Sequence, residues 1–317
     1  MDDQHYDRET FLTLVPVLDA SQLPAPVFAV QITGFPERGV AIGFSMHHMA
    51  ADGNAIWQFV DARTAGCRMS SGGGASSLPV PLHDRSVISH PRAEEIARSI
   101  VRTFVPNLPS LSDSLMKFYD PRELSRRTFA VKVERIVPLK DRGTATHRPS
   151  AFAALAAHIW LSVVREKGIP PDDLICPLLF EDRYFGNCLK RCLAVAKASE
   201  LLAGGDVGFK AACAAVRRAV QEGTREPLSD VERWTTKSVL TGFPIERLVN
   251  VSGSPRFRVY DADFGWGGPK RVEMLSMNGN GEASLQAARD EEGGVQLSVS
   301  ISQLCMDAFA SFFVNGL

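Results

Sequence analysis

The stretch GVAIGFSMHHMAADGNAIWQFV, residues 39–60, decides how this chain is read. Val40, Ile42, Phe44 and Met46 alternate with Gly39, Ala41, Gly43 and Ser45, so residues 40–46 are predicted to form a strand with one apolar face and one face of small residues. Small side chains along a whole face imply that a helix or a ligand packs very close to it. After His47 and His48, Asp52-Gly53 leads into Ala55, Ile56, Phe59 and Val60, whose spacing starts a helix near residue 53. The two histidines therefore sit at a strand-to-helix junction.

Working outward, Val27–Thr33 reads as the preceding strand, joined through the turn Pro36-Glu37-Arg38-Gly39. On the other side, SSGGGASS at 70–77 and the Pro-rich LPVPLHDRSVISHP at 78–91 form a long connector. Beyond it the patterning predicts helices at 93–104, 151–166 with Ser150 as N-cap, 207–222, 229–240 and 305–314. Strands are predicted at 128–136, 257–262, 272–276 and 295–300. Strands mixed irregularly with helices, with no internal repeat, point to a mixed α/β or α+β architecture in two lobes.

Composition narrows the classes of function. Among 317 residues, 35 Lys and Arg face 36 Asp and Glu, so the net charge of -1 gives no basic field to draw the chain to nucleic acid or anionic lipid. No run reaches the ~18 apolar residues of a membrane span, and MDDQHYDRETF lacks the charged and apolar regions of a signal peptide. Six scattered cysteines without a CxxC pair read as reduced thiols. The expectation is a soluble, cytoplasmic monomer.

His48 is the sharpest candidate for chemistry, because a histidine at a strand end is exposed on a rigid edge and titrates near neutrality. Read on its own, the HxxxD spacing is better served by His47 and His48 as satisfied histidines at a strand end. Asp52 can be read as the orienter of the imidazole, but its place before a helix favours capping that helix or pairing with an arginine. No metal is expected: adjacent strand histidines point to opposite sides, and no further ligand accompanies them. A covalent route is disfavoured, since there is no GxSxG elbow and no cysteine in a catalytic signature.

HHMAADG at 47–53 followed by Asp263-Phe264-Gly265-Trp266-Gly267 resembles the plant BAHD acyltransferases, whose signatures are HxxxDG and DFGWG. Tyr184-Phe185-Gly186-Asn187-Cys188 resembles the third motif of the branch that acts on anthocyanins and phenolic glycosides with malonyl-CoA or hydroxycinnamoyl-CoA. HDRSVISHP, VSGSPRF and GGVQLSVSIS also fall in family order. The resemblance implies a two-lobe, chloramphenicol-acetyltransferase-like α/β fold with the site between the lobes. It divides the chain into an N-terminal lobe at 1–83, a connector at 84–110 and a C-terminal lobe at 111–317. The implied catalytic pair is His48, as general base, with Asp52, which would hold its loop through an arginine, Arg183 being the candidate. Asp263 would be a structural anchor, and Gly265, Trp266 and Gly267 would lie near the CoA channel. Acyl-CoA is the implied co-substrate and a small hydroxyl compound the acceptor, with no bound cofactor. A condensation domain of peptide synthesis also carries HHxxxDG, but it has neither DFGWG nor YFGNC. The family has strands and helices before the first residues of this chain and a longer run before YFGNC. An incomplete first lobe is therefore expected, and a member without independent activity is the competing reading.

Overall fold

The computed structural model of this chain describes residues 3–5, 7–19, 24–70, 80–87, 89–104, 120–143, 148–167, 178–179, 185–190, 192–229, 231, 248–289 and 292–317. Strand β1 (Asp3–His5) and the short helix α1 (Arg8–Leu12) lead to an antiparallel hairpin of β2 (Phe28–Phe35) and β3 (Gly39–Met46). Helix α2 (Gly53–Ser70) follows, then α3 (Ala93–Phe104). The remaining elements are β4 (Leu124–Val131), α4 (Val133–Asp141), α5 (Ala151–Lys167), the pair β5 (Leu178–Leu179) and β6 (Leu189–Lys190), α6 (Ala198–Leu201), α7 (Val207–Arg225), β7 (Asn250–Gly253), β8 (Glu282–Ala287), β9 (Val295–Ser302) and α8 (Met306–Asn315). The architecture is mixed α/β.

Strands β1-β4-β9-β8-β7 form one five-stranded sheet, antiparallel except for the β7–β8 pair. Register gives it two different faces. Phe129, Val131, Leu297, Val299, Ile301, Ala283 and Leu285 share the apolar core with α5, α7 and α8. Their alternates Arg126, Thr128, Ser298, Ser300, Ser284, Gln286 and Gln296 are also buried, but polar. The extended segment 271–278 meets part of that face: Met277 O accepts from Arg126 Nε and Nη2 at 3.1 and 2.8 Å, and Glu273 Oε2 accepts from Thr128 Oγ1 at 2.9 Å.

This double-sided burial explains one departure from the predicted elements, the start of β4. The strand expected at 128–136 begins at Leu124, because the polar run Ser125–Thr128 hides buried positions. Residues 133–136 are helical instead, with Ile136 and Leu139 inward at helical spacing. Residues 259–261 form a 3-10 turn and 272–276 an extended segment outside any sheet, whereas β7 and β8 were not anticipated. The helix expected at 229–240 and much of the connector lie outside the described residues. Ser150 caps α5 as expected, accepting from Ala153 N at 3.1 Å.

Where Gly43 lies, the small-residue face of β3 packs against main chain. A Cβ added to Gly43 would fall 2.0 Å from Leu14 O, so the main chain of residues 14–16 lies directly on that face. Ser45 Oγ donates to Pro16 O at 2.5 Å and Gln31 Nε2 to Thr13 O at 2.7 Å, fastening the same segment.

Candidate active site

The β-ladder continues one residue past β3, where His47 N donates to Val27 O at 2.8 Å. Ala50 N then donates to His47 O at 2.9 Å and closes a turn with His48 and Met49 exposed at its tip. Asp52 ends the turn and caps α2, its Oδ1 accepting from Ala55 N at 3.0 Å while its own carbonyl accepts from Ile56 N. The sequence produces this locally: an extended run of alternating residues, a short-side-chain cap and an apolar helix stripe.

What holds the turn from the other side comes from far along the chain. Asp52 is 2% exposed, and its second oxygen accepts from Cys188 N at 2.9 Å. Asp52 N donates to Gly186 O at 3.2 Å, and Asn187 Nδ2 donates to His48 O at 2.7 Å. The segment 185–188 is itself backed by Phe185 N donating to Leu82 O and by the Phe185 ring set edge-on to His83 at 5.4 Å. Both Asp52 oxygens thus serve main-chain donors and neither meets the His48 ring, so Asp52 joins α2 to segment 185–188 rather than orienting the imidazole. Arg183, the arginine expected beside Asp52, lies outside the described residues.

The second motif forms a comparable turn. Asp263 Oδ1 accepts from Gly265 N at 2.7 Å and Gly267 N at 2.9 Å, and both glycines have positive φ, at 99° and 90°. These donors hold the Asp263 carboxyl below its ordinary value, the Gly265 N–H foremost, with Trp266 N–H and the Arg68 charge adding. Trp266 stands out at the tip, 71% exposed. The segment leading to this turn follows α2 along its length. Phe257 lies 3.6 Å from where a Gly53 Cβ would sit, and the Asp61 carboxyl is raised by burial and by Asp261. Arg68 Nη1 donates to Asp263 O at 3.1 Å. One helix thus touches both motifs.

A cavity of about 590 Å³ opens elsewhere, between α1, β4 and the start of α8, and contains neither turn. Among the described residues no group of three His, Cys, Asp or Glu side chains is arranged to hold a metal, and no helix is long and apolar enough to cross a membrane. Sequence reasoning gave Asn187 no part in the site. Its contact with His48 spans 139 positions, and the one signal for it was its place in the YFGNC stretch.

A mixed α/β fold presenting an exposed histidine on a clamped turn, with a DFGWG turn on the same helix, defines a class, and comparison with known proteins places the chain within it. The profile of the Transferase family matches residues 2–314, and the chain belongs to that family, the BAHD acyl-CoA-dependent acyltransferases. It is 32% identical to a malonyl-coenzyme:anthocyanin 5-O-glucoside-6'''-O-malonyltransferase of Salvia splendens, over 97% of this chain and 70% of that protein. It is 30% identical to phenolic glucoside malonyltransferase 2 of Arabidopsis thaliana, over 96% and 71%. Among solved structures, vinorine synthase superposes with a TM-score of 0.69 at 19% identity, over 95% of this chain and 70% of that one. The fold is the chloramphenicol-acetyltransferase-like one.

Proposed function

We propose that this chain transfers an acyl group from acyl-CoA to a hydroxyl of a phenolic or anthocyanin glycoside, with His48 as the general base and no acyl-enzyme intermediate. The observation that carries the reading is the His48 turn itself: an exposed imidazole on main chain fixed by β3, by the α2 cap and by residues 186–188. In this mechanism the imidazole takes the acceptor hydroxyl proton as that oxygen attacks the thioester carbonyl. The tetrahedral intermediate expels CoA thiolate, which recovers the proton from the imidazolium. A thiol of pKa near ~8.5 needs little further acid assistance to leave.

The names of the Salvia and Arabidopsis relatives support malonyl as the donor group and a glucoside hydroxyl as the acceptor, hydroxycinnamoyl being the other donor the branch suggests. In this reading residues 1–83 and 111–317 form two lobes joined by 84–110, with His48 between them, except that β1 (Asp3–His5) pairs with β4 in the sheet of the second lobe. The bonds from residues 186–188 to the turn support that placement. Gly265, Trp266 and Gly267 would flank the CoA channel and Asp263 would fix their turn, as the exposed indole on a tied loop suggests. Arg183 would reinforce Asp52. The scattered cysteines, read as reduced thiols, support a place in the cytoplasm, where the chain would act as a monomer.

An acyl-CoA panel tested against glucosylated and free phenolics, with released thiol as the readout, checks the proposal. His48→Ala is expected to lower turnover by about 10²–10⁴-fold while leaving CoA binding in place. Wild-type turnover in folded His48→Ala would overturn the assignment. A folded chain that binds CoA yet acylates no hydroxyl or amine would make it a non-catalytic member of the family.

A further inference from the structure

We infer that Asn187 is a positioning residue for His48, setting through the main chain the place from which the imidazole acts. The inference rests on the acyl-transfer reading above. His48 lies at the exposed tip of its turn, and no hydrogen bond among the described residues fixes its ring. The position of the ring therefore follows from the backbone that carries it. That backbone is tied on the β3 side by His47 N to Val27 O and on the α2 side by the Asp52 cap. Between these two anchors the His48 carbonyl accepts from Asn187 Nδ2 at 2.7 Å.

Asn187 is well placed for this work because its own backbone cannot drift. Gly186 O accepts from Asp52 N at 3.2 Å, and Cys188 N donates to Asp52 Oδ2 at 2.9 Å, so Asp52 grips the residue on each side of Asn187. With its neighbours fixed, the side-chain amide has a short reach and one carbonyl to donate to. The chemistry is selective. Aspartate has the same length, but its ionised carboxylate only accepts and would repel the His48 carbonyl, while alanine offers nothing. Glutamine donates from one methylene further out, with a more mobile side chain.

A misplacement of about 1 Å in a reacting group can cost on the order of 10² in rate. Asn187→Ala is accordingly expected to lower kcat by about 10–100-fold, with Asn187→Asp at least as poor and Asn187→Gln partly restored. KM for the acyl-CoA should stay nearly constant, since Asn187 touches the turn and not the donor, and the melting temperature should move little. In a His48→Ala background the Asn187→Ala change should have no further effect, because there is no imidazole left to position. A structural readout accompanies the kinetics: in the ¹⁵N-histidine NMR spectrum, Asn187→Ala should shift and broaden the His48 ring signals and leave those of His158, buried far along the chain, unchanged. Full kcat in Asn187→Ala alongside an inactive His48→Ala would overturn the inference and leave the acyl-transfer reading standing. Unmoved His48 signals would overturn it whatever the activity. Wild-type turnover in His48→Ala would remove the base itself and the inference with it.

Discussion

The helix-backed sheet and the β2–β3 hairpin are stabilised in different ways. The contiguous apolar core begins at Phe129, and no described residue before it belongs to that cluster. Twelve successive residues of α5, Ala153–Val164, are buried there. The hairpin leaves Val30 at 44%, Ile32 at 65% and Val40 at 49% exposure, and it meets α2 through the Phe28 ring, edge-on to Phe59 at 5.1 Å. The turn carrying His48 sits on this thinner side and is held by directional hydrogen bonds rather than by depth of packing. Damage to the sheet should therefore appear as lost stability, and damage to the turn chiefly as lost rate.

The largest effect expected is in the sheet. Phe313 is fully buried among Phe129, Phe309 and His158, so Phe313→Ala should cost about 3–5 kcal/mol in chemical denaturation. A loss below about 1 kcal/mol would break the contrast.

The same region supplies a pH dependence. His158 Nε2 lies 2.8 Å from Phe313 O, and burial pushes the imidazole down from 6.5 to about 4. The unfolded chain then binds the extra proton first as pH falls. The contribution is complete above pH 6.5 and is lost between 6.5 and about 4, by on the order of 3 kcal/mol at most. His158→Gln, which keeps a hydrogen-bonding side chain but does not titrate, should flatten the stability profile across that window.

Asp52 ties α2 to the segment 186–188, and its removal should show in both stability and rate. Asp52→Ala takes the cap from α2 and leaves Cys188 N without its acceptor, a loss of about 2–3 kcal/mol. Turnover should fall further than that loss of folded protein explains, because the His48 turn loosens. A variant with normal turnover per folded molecule would show that the clamp is not needed for chemistry. The smallest effect belongs to the hairpin surface: Ile32→Thr should shift stability by less than about 0.5 kcal/mol. A cost like that of Phe313→Ala would mean that something covers the exposed strand face.

Elements with local signatures were legible in the sequence. The alternation of β3, the apolar stripe of α2 and the Ser150 cap of α5 are each written within one segment, because neighbours a few residues apart decide them. The strand β8 was not legible in this way, and of β4 only residues 128–131 were. The polar run Ser125–Thr128 breaks the hydrophobic alternation of β4, and Arg126 and Thr128 are buried where Met277 O and Glu273 meet them from another part of the chain.

The candidate site divides along the same line. The sequence by itself determined that the two histidines follow a strand and that Asp52 stands before a helix, since both follow from residues within one turn of each other. Tertiary structure alone decided that Asn187 and Cys188 would grip that turn and that Arg68 would reach Asp263 across 195 positions. Hydrogen bonds between such distant groups require two separately formed segments to be brought to within about 3 Å in the right orientation. Packing of the whole chain sets that distance, and no local periodicity encodes it.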